Sequence, residues 1–361
     1  MAGVRFLALP LAMLTVAACA GPSSSTAEQG SALFYASSGS IYVSAPVGAP
    51  GRKLTDGPTD TDPAPSPDGG RLAYVHKADP ADAGGELWVL DVSSGAAKRL
   101  VDPAALVPKF EGDRPQAGSP QWSPAGDRIA FLKAGTGGGG FLLTADASTG
   151  SVQPPATPLY ADANFSWAPD GSRIAWVGGR SDVSPVDVNV LTVGGSSEAV
   201  VKDTNASSVS FGHDGRSVLF ANGDATGDPF LDIPFDMRDG GIYGVEIPRT
   251  EGPGGAAPKQ LLFGKMPFAD VQALSSGAVG FTEWSADQRT KTIQVSDTDR
   301  KTHRVAETRG DAPHPIWNDE ESVAYVGTAE DRPLLVAHQE GAATTVAGGV
   351  EAFAWGTYTG G

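Results

Sequence analysis

A chain of 361 residues with 42 Asp and Glu against 26 Lys and Arg carries a formal charge of −16. Such a surface repels nucleic acid and anionic headgroups, so neither is expected as a partner; basic proteins and cations are favoured, or the charge serves solubility alone. The single cysteine, Cys19, leaves no disulfide to form within the chain.

The first residues are read apart from the fold. Arg5 supplies a positive start, and Phe6 to Val16 is an apolar stretch too short to span a bilayer. It ends in Val16-Ala17-Ala18-Cys19, which resembles the bacterial lipobox, an aliphatic residue and two small ones before a cysteine. The resemblance implies a signal peptide over residues 1–18, a diacylglycerol on the Cys19 thiol, and cleavage that leaves Cys19 first. An exported protein is then expected, anchored by lipid to the extracytoplasmic face of the cell membrane; the alternative is a secretory signal with a chance cysteine. Two or three acyl chains anchor stably where one is marginal. Residues 19–31, polar and rich in Ser, read as the lipidated cysteine and a flexible tether, and 32–361 as one domain.

The domain repeats a turn and a strand. Ser66-Pro67-Asp68-Gly69 precedes RLAYV, Ser123-Pro124-Ala125-Gly126 precedes RIAFL, Ala168-Pro169-Asp170-Gly171 precedes RIAWV, and Gly212-His213-Asp214-Gly215 precedes SVLFA. These starts are 57, 45 and 44 residues apart. Asp-Gly suits a tight hairpin because Gly takes positive φ freely. The strands that follow alternate and favour β-branched and aromatic residues. A period near 45 with a turn between β-patterned segments predicts an all-β fold, a β-propeller with one four-stranded blade per repeat.

An aromatic residue often stands just before the turn: Trp122, Trp167, Phe211, Trp317 and Trp355. One repeat position for all five predicts packing between blades rather than ligand stacking. A drifted copy at Trp317-Asn318-Asp319-Glu320 has lost Pro and Gly, and another is read at Val271 to Phe281 with Ser275-Ser276-Gly277 as its turn. Ala352 to Gly356 resembles an inner strand with nothing after it. Leu33 to Ala36, Ile41 to Ser44 and Arg52 to Leu54 resemble the other three strands with no inner one before them. Pairing these ends closes the ring and leaves no sheet edge at the seam. Counting inner strands gives seven blades, or six if the degraded copy near Ser275 is not one.

The aromatic-Ser-Pro-Asp-Gly turn with an Ile-Ala-Phe-like strand resembles the WD40-like (PD40) repeat of TolB-type propellers. That resemblance implies a scaffold for an envelope protein partner. The family's own protein carries an α/β domain ahead of the propeller, for which this chain is expected to have no room. A fold of this kind says little about chemistry.

No catalytic motif stands out: there is no G-x-S-x-G elbow and no H-E-x-x-H, and Gly135 to Gly140 lacks the Lys-Ser/Thr of a phosphate loop. A binding protein without cofactor is expected, not an enzyme; the alternative is a surface hydrolase or a small-ligand or metal-binding propeller that uses its central channel. Two features are singled out. The long connections Pro103 to Gln116 and Asn222 to Gly240 set apolar residues among acids on one rim, with Phe110, Arg114, Phe230, Asp232, Phe235 and Asp236 as candidate partner contacts. Packing of Phe230 and Phe235 on their own blade is the alternative. Three residues before the aromatic position stand Asp62, Ser119, Asn164, Ser208 and His314. Asp62, Asn164 and His314 are candidate channel-mouth groups for a cation or polar ligand, as in calcium-dependent lactonase-type propellers. One aspartate is thin for a calcium site, and water in the channel is the plainer reading.

Overall fold

The computed structural model describes residues 30–82, 84–106, 116–134, 140–153, 160–179, 186–222, 240–247, 257–318, 322–338 and 342–360. Cys19, Phe110, Arg114, Phe230, Asp232, Phe235 and Asp236 lie outside the described residues.

Seven four-stranded antiparallel blades form a β-propeller. Blades 1 to 6 run in chain order over residues 60–99, 117–153, 160–204, 206–264, 268–309 and 316–347. Blade 7 is composite. Its inner strand is the last of the chain, Val350–Tyr358, and it pairs with the first, Gly30–Ser37, followed by Ser40–Ser44 and Arg52–Lys53. The ring therefore closes as the unmatched strand patterns at the two ends required. The first strand opens at Gly30, so the segment assigned to the tether through Ser31 is two residues too long: Gly30 and Ser31 already pair with Tyr358 and Thr357. The degraded copy near Ser275 is a true blade, with inner strand Phe268–Ala273, a turn at Gly277 of φ +87° and a second strand Val279–Trp284. Blades 2 and 3 are also joined directly, Gly140 and Phe141 pairing with Ala161 and Tyr160.

Period-two alternation explains where the core sits. Along Arg71–His76, Leu72 and Tyr74 face the core shared with blade 7, while Ala73 faces the core shared with blade 2. Each second strand thus serves two neighbours, and both of its faces are buried. The buried apolar residues divide into seven clusters, each made from two adjacent blades. A long chain can remain one domain because it repeats a small core instead of enlarging one.

The two rims differ. One, the turn rim, carries the hairpins between inner and second strands and those between third and fourth strands. The other, the loop rim, carries the longer connections, including the strand ends at Asn222 and Gly240 that flank the long insertion.

Candidate functional site

The inner strands enclose a central cavity of about 790 Å³. Five of them enter it through an irregularity: register shifts fall at Thr61/Ala64, Gly118/Gln121, Ala161/Phe165, Ala206/Ser208 and Ala269/Gln272. Asp62, Ser119 and Asp270 hold φ of +50°, +50° and +55° there, a left-handed conformation that aspartate tolerates better than most residues. Because the bulge leaves a backbone N–H without a partner in its own sheet, something else must accept it.

The neighbouring blade does so. The Ser119 N–H donates to Asp62 Oδ2 at 3.3 Å, the Val209 N–H to Asn164 Oδ1 at 2.9 Å, and the Val271 N–H to Ser208 Oγ at 3.0 Å. Two residues further along lies a second tier. There the Phe211 N–H donates to Ser166 Oγ, the Ala273 N–H to Ser210 Oγ, and the Trp317 N–H to Gln272 Oε1. The repeated aromatic residues add a third: Trp122, Trp167 and Trp355 donate Nε1–H to the carbonyls of Ala64, Gln121 and Ile316, each on the preceding blade. Arg71 and Arg173 reach the opposite way, to the turn carbonyls of Gly126 and Gly215, and lie over the rings of Trp122 and Phe211. Trp122, Phe211 and Trp317 are buried, and Trp167 and Trp355 are half-buried within the inter-blade clusters, as one shared repeat position implied.

The junction of blades 5 and 6 is built differently. Asp270 occupies the repeat position of Asp62, and His314 holds the same position one blade on, which is why they meet. One Asp270 oxygen hydrogen-bonds His314 Nδ1; the other accepts from Lys291 Nζ at 2.9 Å and Thr282 Oγ1 at 2.7 Å. The Asp270 and Lys291 side chains are 2% and 4% exposed, whereas the His314 side chain is 55% exposed and lines the cavity. Burial by itself pushes the Asp270 carboxyl up; the His314 imidazole and the Lys291 ammonium outweigh it and hold the group well below the ordinary carboxylate range.

Of the channel-mouth candidates, Asp62, Asn164 and His314 all line this cavity, as does Ser119. Asp62 and Asn164 spend a side-chain oxygen on the next blade, and no group of three or more metal-ligating side chains gathers among the described residues. Sequence reasoning missed Asp270, Thr282 and Lys291. The signal was there at one remove: Asp270 stands three residues before Ala273 as Asp62 does before Pro65, but an alanine in the aromatic position hid the repeat.

No protein-family model matches the chain, and no curated protein matches it in sequence. Solved structures do share its fold. TolB from Acinetobacter baumannii superposes with a TM-score of 0.52 at 15% identity, over 90% of this chain and 66% of that one, so the chain spans just under two thirds of TolB's length. An oligogalacturonate lyase in complex with manganese gives 0.59 at 14% identity, over 89% and 86%. The propeller domain of the Trilobed protease from Pyrococcus furiosus, described as having an open velcro topology, gives 0.54 at 14% identity, over 85% and 86%. At such identities the likeness establishes the propeller and nothing finer.

Proposed function

We propose that this chain is a binding scaffold of the bacterial envelope, exported and held at the membrane by lipid on Cys19, whose propeller engages a protein partner. One observation carries the reading. The polar groups on the cavity wall, where a propeller enzyme would keep its reacting residues, are bonded to the next blade at Asp62, Asn164, Ser166, Ser208, Ser210 and Gln272. Groups already bonded in this way hold the ring together and have little left for a substrate. The TolB likeness supports a scaffold role, the Val-Ala-Ala-Cys box supports the anchor, and the formal −16 charge favours a partner with a basic face.

Two measurements test the reading. A palmitate analogue supplied to expressing cells marks the wild-type chain and leaves Cys19→Ala unlabelled; a labelled variant removes the anchor. Pull-downs from envelope extract then compare the wild-type domain with Phe230→Ala/Phe235→Ala, beside thermal melts. Loss of a salt-sensitive partner at an unchanged melting temperature supports a partner surface at the insertion. Recovery of the same proteins places the interface elsewhere, and a much lower melting temperature makes both residues part of the core.

A second reading, a small ligand or cation in the cavity, draws on His314, whose ring Asp270 orients at the cavity wall. Mn²⁺ or Ca²⁺ that binds the native fold raises its melting temperature by mass action, and an effect lost in His314→Gln would favour this reading.

A further inference from the structure

The course of the two terminal strands decides which rim a membrane-anchored propeller turns outward. The inner strand of blade 7 runs from Val350 at the loop rim to Tyr358 at the turn rim, and Gly30 pairs with Tyr358. The chain therefore enters the fold at the turn rim. It also leaves there: Thr359 Oγ1 donates to the carbonyl of Gly69, inside the first Ser-Pro-Asp-Gly turn. Gly30 is eleven residues past Cys19. Fully extended, that length spans about 36–40 Å at 3.3–3.6 Å per residue. The opposite rim lies a strand further off, about 20 Å for six residues. To bring the loop rim to the lipid, the tether would have to spend half its reach running back along a blade.

Charge does not distinguish the two rims. Asp68, Asp91, Asp146 and Asp170 lie on the turn rim and Asp287 on the loop rim, each held below the ordinary carboxylate range chiefly by the hydroxyl of a nearby serine. Arg71 and Arg173, the cations beside them, are engaged with the next blade. Both rims carry fixed anions with no electrostatic attraction to an anionic bilayer, Asp287 and Asp311 on the loop rim among them, so the tether, not adhesion, sets the approach.

We propose that the propeller stands on its tether with the turn rim toward the lipid and the loop rim outward. The partner is then met at the rim that carries the strand ends at Asn222 and Gly240. This rests on the proposed lipid anchor at Cys19.

The test uses the absence of any other cysteine. Ala96→Cys places a thiol at an exposed turn-rim site, and Ala81→Cys at an exposed loop-rim site of the same blade. Each carries a donor dye, and the bilayer of reconstituted vesicles carries an acceptor lipid. Two forms are compared: the native lipidated chain, and a Cys19→Ala chain in which a hexahistidine replaces residues 1–18, held on nickel-chelating vesicles. Severalfold stronger energy transfer from position 96 than from 81 in both forms is the expected result. Equal transfer, or stronger transfer from 81, overturns the orientation. If the palmitate analogue marks nothing while the chelated form still shows the gradient, the anchor has failed and the exit geometry has not.

Discussion

Asp62 and Asp270 hold the same place in their blades, with nearly the same backbone, φ +50° and +55°, yet they meet opposite surroundings. Asp62 is half-exposed and accepts one long hydrogen bond from the next blade, whereas Asp270 is buried between a lysine, a threonine and a histidine. The bulge solves a backbone problem at both junctions. At the second it also sets an ion pair in the wall of the cavity. A buried pair of this kind adds little net stability over an apolar replacement, but it is costly to break on one side only. The repeat is a chassis; one junction has been given extra chemistry, and that chemistry orients His314.

The comparison can be broken by removing a junction outright. Deleting residues 351–361 strips most of the inner strand from blade 7, with buried Phe353 and half-buried Trp355 and Tyr358. Each lost side chain costs about 1.5–3 kcal/mol against a typical total of about 5–15, so cooperative folding is expected to fail in a thermal melt. A truncated domain that melts within a degree or two of the intact one contradicts closure by the termini.

Next in size is Lys291→Met, which leaves the Asp270 carboxylate buried without its ammonium. A loss of about 3–5 kcal/mol in urea unfolding is expected, with much of it recovered in Lys291→Met/Asp270→Asn. Asp62→Asn, at the plain junction, should cost about 0.5 kcal/mol or less. Equal losses at the two positions would mean that the junctions do not differ in kind.

A smaller effect belongs to the aromatic tier. Trp122→Phe keeps a ring under Arg71 but removes the 2.8 Å bond to the Ala64 carbonyl, at a cost of about 1 kcal/mol. A neutral result would assign the tier to packing alone.

Acid sharpens the comparison from another side. Asp91 is held down to about 2 from an ordinary 3.8, first by the Ser93 hydroxyl and then by the Ser94 N–H, and Asp68, Asp146, Asp170, Asp270 and Asp287 are lowered too. Their folded values lie below the unfolded one, so the unfolded chain binds protons first. The stability they contribute is whole above pH 3.8 and is lost as pH falls toward 2 and below. Melting temperature should fall across that window, and Asp91→Asn should flatten the slope slightly. A flat profile would remove the carboxylates from the account.

The repeat was legible wherever its turn kept Pro, Asp or Gly, because those residues answer to local backbone geometry. Gly69, Gly126, Gly171 and Gly215 all take φ between +62° and +70°. It faded in blade 5, where Ala273 stands in the aromatic position and the turn is Ser275-Ser276-Gly277. The candidate site was half legible. Asp62, Asn164 and His314 were found by counting from the aromatic residue, since position in the repeat sets which side chains approach the cavity. Lys291 could not be found that way: alternation puts it on the same inward face as Ile293 and Val295, but nothing along the third strand says which carboxylate it meets.

The four-stranded repeat, ring closure through the two ends and the inner-strand positions of the blades that keep an aromatic residue before the turn were determined by the sequence itself, because a period and its two unmatched ends are one-dimensional facts; the choice of seven blades over six was not. Which neighbour each polar side chain would satisfy was decided only by the tertiary structure. A bulge frees an N–H in one blade, and its acceptor comes from another blade, 57 residues away for Asp62 and Ser119 and 63 for Ser208 and Val271. Only when the ring closes do those distances become hydrogen bonds, and only then does one aspartate find both a lysine and a histidine beside it.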